Sequence, residues 1–225
     1  MKYLIILIYS FALMSCKSQV PINTDLKKEL DEILFKDQIY REFSDNETIE
    51  ERRDEIAKLT NMDKDYLRQN TWSLINTADT ENIVRVENII MKHGYPGKSL
   101  VGEPTNTAVF YVIQHSDKIE KYYPIIKKAG DEGELPYKYV AMMLDRKLTN
   151  ELKPQIYGTQ LGFRTITNPQ TGAQENFIYV LPIEDPKNVN KRRKEAGFDT
   201  TVEENTKRFG IEYKEYTYEE LNKIK

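Results

Sequence analysis

Residues 105–117 read Thr-Asn-Thr-Ala-Val-Phe-Tyr-Val-Ile-Gln-His-Ser-Asp. Positions 108 to 113 are apolar without a break. A helix over them has no polar face, and such a helix belongs in a core. Gln114, His115, Ser116 and Asp117 then stand where the buried helix ends.

Helical spacing extends in both directions from this segment. Upstream, Asn23 or Thr24 can cap a helix running to about Phe43, with Leu26, Leu30, Ile33 and Leu34 as its stripe. Four-residue steps along that stripe land on Asp37 and Arg41, which read as a structural ion pair or as pocket lining. Residues 47–69 suggest a charged second helix. Asp79 can cap a third, with Ile83, Val86, Ile90 and His93 on one face and Gly94 as a left-handed cap. Downstream, a helix is expected from about Asp117 to Ala129, closed by Gly130. Pro136 starts another, with Val140, Ala141, Leu144 and Leu148 inward and Asp145 and Arg146 near its end. After Pro154 the pattern changes. Residues 155–160 look extended, two β-rich runs follow, and Asn168-Pro169-Gln170-Thr171-Gly172 between them is a turn signal. Helices over 188–196 and 201–208 and a short terminal segment complete the chain. The reading is mainly α (α+β): a single domain over residues 23–225, of about seven helices, with one β-hairpin at about 155–182.

The N-terminus reads as an address. Lys2 precedes an apolar run at 3–14 that is too short to span a bilayer as a helix, so residues 1–15 are expected to be a signal peptide. Leu13-Met14-Ser15-Cys16 resembles a lipobox, and the chain's one Cys stands there. Cys16 is the expected lipidation site, and residues 16–22 form a tether. Several acyl chains on one residue anchor stably where a single chain is marginal. The expected membrane partner is reached through this anchor. The expected location is the cell envelope, with the outer membrane or periplasmic face favoured in a Gram-negative host because Lys17, not Asp, follows the Cys.

Composition excludes several function classes. The 225 residues carry 33 Lys and Arg against 36 Asp and Glu. A net charge of −3 offers no basic footprint for nucleic acid. A single Cys rules out an internal disulfide and a Cys-rich metal centre. Two His rule out a three-His site. There is no Gly-rich phosphate loop, HExxH, GxSxG or paired CxxC. No cofactor and no metal are expected, because His115 with Asp117 and Asp145 is a weak ligand set at this spacing.

What remains is a group of polar clusters in apolar context. His115 is the one credible acid or base near neutral pH. Asp117 or Asp145 could orient its ring, which makes these three the catalytic candidates. Arg146, Arg192 and Arg193 suit a carboxylate or phosphate through paired hydrogen bonds. Gln114, Gln155, Tyr157, Thr159 and Gln160 offer neutral donors and acceptors, and Gly158 allows close backbone approach. With Asp37 and Arg41, these are the ligand-binding candidates for a polar or anionic small molecule or glycan. A hydrolase using His115 and a purely structural or protein-interaction lipoprotein are the alternative readings.

In order, the chain carries Asp37-Gln38 with Arg41, Asp79 with Asn82, Gly94-Tyr95-Pro96, Gln114-His115-Ser116-Asp117, Asp145-Arg146, Gln155-Ile156-Tyr157-Gly158-Thr159-Gln160 and Arg192-Arg193. This resembles the bacterial domain of unknown function family 6624, with its QHxD, DR, QxYGTQ and RR pattern, over nearly all of the mature chain. Tyr95 stands where the family often has Trp. The resemblance implies a common fold and a shared site and brings no activity with it.

Overall fold

The computed structural model describes residues 21–168 and 170–224. The expected signal peptide at 1–15, Cys16, and residues 17–20 of the tether lie outside the described residues.

Helix α1 (Thr24–Ser44) begins at Asn23, whose side chain accepts from the Leu26 amide at 3.1 Å. Its buried stripe runs through Leu26, Leu30 and Ile33 and continues into Asp37. Helix α2 (Glu50–Thr60) buries one residue, Ile56. Asn61 in the left-handed region and Asp63 as N-cap separate it from α3 (Lys64–His93).

The long α3 corrects the expected boundaries. It runs straight through Asp79, which is therefore not a cap. No Gly or Pro interrupts residues 64–93, and the Asp79 carboxylate is held by Arg41 from the neighbouring helix. Gly94 ends α3 with φ 71 and ψ −153, a backbone region open to glycine rather than the left-handed helical one expected.

A one-turn helix α4 (Lys98–Val101) and a 3-10 turn (Thr105–Thr107) lead into α5 (Ala108–Gln114). All of α5 is buried except the half-buried Tyr111, in keeping with its unbroken apolar run. Helix α6 (Ile119–Asp131) contains Pro124 and carries Gly130 within its body, so it closes later than expected. Helix α7 (Tyr137–Asn150) packs against it. The main apolar core gathers residues of α1, α3, α5, α6 and α7. A second cluster joins Ile39, Phe43, Ile56 and Leu67.

The C-terminal part holds one antiparallel hairpin, β1 (Leu161–Thr167) with β2 (Gln174–Val180), pairing Leu161 with Val180 and Thr167 with Gln174. Residues 155–160 do not extend it. Gln155 makes a single bridge to Ile183, and the rest is loop. Helices α8 (Val189–Glu195), α9 (Val202–Lys207) and α10 (Tyr218–Lys223) follow, and Val180, Val189 and Val202 form a third cluster. The described residues thus form ten α-helices, several of one or two turns, and a two-stranded hairpin. Among them, no helix is long and apolar enough to cross a membrane.

Candidate functional site

The end of α5 delivers His115. As the helix C-cap it adopts φ −93 and ψ 0, a sparsely used region where active-site residues are often found. Its Nδ1 lies 3.3 Å from both carboxylate oxygens of Asp37 on α1. Asp37 is fully buried, the charged continuation of an apolar stripe. Gln38 Nε2 donates to its Oδ2 at 2.6 Å. One turn on, Arg41 Nη1 donates to the Asp37 carbonyl at 2.9 Å, and Nη2 reaches Oδ1 and Oδ2 of Asp79 at 2.9 and 2.7 Å. Three helices therefore meet in one chain of contacts, His115–Asp37–Arg41–Asp79. The His115, Arg41 and Asp79 side chains keep 19%, 23% and 26% of their surface in solvent, so the cluster is sealed behind Asp37 and open in front.

Helix α7 adds Arg146, half-buried beside Arg41. Its Nε is buried with no partner among the described residues. Burial holds the guanidinium below its ordinary pKa, and the charge of Arg41 pushes the same way. Tyr111, whose hydroxyl burial pushes up in pKa, also feels the charge of Asp37. Gln114 is buried at the last turn of α5, next to His115.

Several expected site residues serve the fold instead. Asp145 is buried and accepts from the amides of Ile156, Tyr157 and Thr159 and from the Thr159 hydroxyl. Asp117 is exposed. The carboxylate that orients His115 is thus Asp37, and neither Asp117 nor Asp145 takes that role. Gln155 is buried and donates to the carbonyls of Gln160 and Leu181 while accepting from the Gln160 amide, which ties the loop to the hairpin. Gln160 Nε2 in turn donates to the Thr159 hydroxyl.

The two adjacent arginines are likewise committed. Arg192 donates to the carbonyls of Ile156, Glu184 and Asp185. Arg193 donates to the carbonyls of Thr200 and Tyr157 and to the Thr200 hydroxyl, with its guanidinium 4.5 Å from the Phe198 ring centre. Both arginines, expected as ligand donors, are engaged chiefly with the protein's own carbonyls and so tie the 156–157, 184–185 and 200 segments to α8. Tyr157 packs beside Phe198 in the same joint.

Of the expected residues, the structure brings together Asp37, Arg41, His115 and Arg146. Asp79 joins them and was not among the candidates. The signal for it was Asp79 and Asn82 at i,i+3 on one face of a helix. Asn82 is buried there, donating to the Ile33 carbonyl, with its Oδ1 unpartnered among the described residues.

One metal-ligand arrangement does exist. Asp37, Asp79 and His115 each present a ligand atom, all within 4.8 Å of one another. Arg41 already spans both Asp79 oxygens, and Arg146 stands beside it. A dication here would have to compete with the Arg41 guanidinium for Asp79.

The model of a family of unknown function, DUF6624, matches residues 49–214. The chain belongs to this family. The match takes in Asp79, His115 and Arg146 and leaves α1, with Asp37 and Arg41, outside it. No curated protein and no solved structure matches the chain.

Proposed function

We propose that this member of the family is a lipid-anchored envelope protein whose domain binds a polar or anionic small molecule or glycan, with Arg146 taking the anionic group beside His115 and Gln114. The lipobox-like Leu13-Met14-Ser15-Cys16 supports the anchor. The observation that carries the binding reading is the state of Arg146. Its guanidinium is largely out of water, Arg41 is the charged neighbour that acts on it, and its Nε has no partner among the described residues. Withdrawing a cation from water without a counter-charge is costly, and a guanidinium matches an anion through parallel hydrogen bonds. An arriving carboxylate or phosphate supplies the missing charge.

Isothermal titration with inorganic phosphate, acetate and glucuronate tests this. The wild type should bind at least one of them. Arg146→Ala should weaken that binding by about 10- to 100-fold, the scale of a hydrogen bond to a charged group. Arg146→Lys should restore part of it, since the charge returns without the fork. Equal affinity in wild type and Arg146→Ala would remove the reading.

A further inference from the structure

We propose that His115 is the general base of a phosphodiester hydrolysis, with Asp37 positioning its ring and Arg146 holding the phosphate; this rests on the anion-binding reading of Arg146. The ring geometry comes first. Nδ1 is committed to the buried Asp37 carboxylate, 3.3 Å away, so the atom left to take a proton is Nε2. Gln38 fixes Asp37 from its other side at 2.6 Å. A ring that is held on one nitrogen and keeps part of its surface in solvent is what general-base chemistry needs, and Arg41, which touches Asp37 and is the charged neighbour of Arg146, links the ring to the anion-holder.

The nucleophile is water. The chain's one Cys stands at position 16, and the nearest hydroxyl in sequence, Ser116, donates to the Ile113 carbonyl at 2.8 Å. Charge selects the substrate class. Arg41 is paired with Asp79, and Asp37 faces the imidazole, which leaves Arg146 as the guanidinium whose Nε has no hydrogen-bond partner among the described residues. Two common groups with one negative charge fit a guanidinium fork, a carboxylate and a phosphodiester. Only the second offers a bond at the held centre for water to break. In the step, the water oxygen attacks phosphorus as its proton passes to His115 Nε2. The P–O bond to the leaving alkoxide breaks, the alkoxide takes a proton from solvent, and His115 returns its proton to water.

The test uses bis(p-nitrophenyl) phosphate, whose leaving group needs no acid, alongside vesicles containing phosphatidylglycerol. Turnover of the first alone assigns a free diester, and turnover of the vesicles assigns a lipid headgroup. His115→Ala and His115→Gln should each lose about 100-fold or more in kcat. Asp37→Asn should lower kcat with KM unchanged, and Arg146→Ala should raise KM. Thermal melts confirm that each variant is folded, and the two His115 variants guard against one failing to fold. Hydrolysis that survives both His115 variants overturns the inference. So does a wild type that binds phosphate and turns over neither diester, with the anion site left standing. A wild type that binds none of the anions removes both readings.

Discussion

Asp145 and Arg146 are neighbours on α7, and burial acts on both. It pushes the Asp145 carboxyl up from its ordinary value while four hydrogen bonds from the 156–159 loop pull against it. A carboxyl whose folded pKa is raised contributes stability below its unfolded value near 3.8 and loses it as pH rises through the folded value. Asp145→Asn removes that titration. The wild type should therefore lose stability relative to Asp145→Asn as pH is raised above the ordinary value of 3.8, read by urea denaturation at a series of pH values. A gap that does not change with pH would show that the hydrogen bonds cancel the effect of burial, and a gap that moves the opposite way would show that they outweigh it. Arg146 differs in that its buried Nε has no acceptor among the described residues, and for that reason it is the residue of the pair assigned to a ligand.

The loop 155–160 shows what single elements hid from the sequence. Gly158 has φ +69, and a Cβ there would come within 2.8 Å of Ile183 Cδ1 and 2.9 Å of Val202 Cγ2. Gly158→Ala adds backbone strain to overpacking and should cost about 3 kcal/mol in chemical denaturation. A loss under about 0.5 kcal/mol would mean that the loop relaxes freely. The polar run Gln155–Gln160 looked like ligand chemistry because its partners are backbone groups, and no residue type in the sequence marks a carbonyl as the acceptor. Arg192 and Arg193 misled for the same reason. Asp79 misled differently, since an Asp before an apolar stripe has the form of an N-cap, and its true partner is 38 positions away. The Asp37–Arg41 pair was legible because a helical stripe extends by arithmetic. The hairpin, the buried α5, the cap at Asn23 and the end of α3 at Gly94, though not that glycine's conformation, were legible because each follows from local spacing.

At the scale of the whole molecule, the described chain starts pinned. The Asn23 amide donates to the Leu100 carbonyl at 2.9 Å, so the domain is fixed from its first helix cap. Cys16 lies seven residues earlier, and a fully extended chain of that length reaches about 25 Å. A lipid on Cys16 would hold the site close to its membrane. Cys16→Ser should release the protein to the soluble fraction and leave its melting temperature unchanged. Continued sedimentation with membranes would sink the anchor.

The Asp37–His115 contact also bears on the order in which the molecule is made. A chain synthesised from its N-terminus presents Asp37 long before His115, which follows 78 positions later. Until then the stripe of α1 ends in a carboxylate lacking its imidazole partner, and hiding that charge from water is unfavourable. Helix α1 can form early from its own cap and spacing and can meet α3 through Arg41 and Asp79, but closure over Asp37 waits for α5. Both residues of the proposed dyad are therefore present before the core that seals Asp37 can close over it.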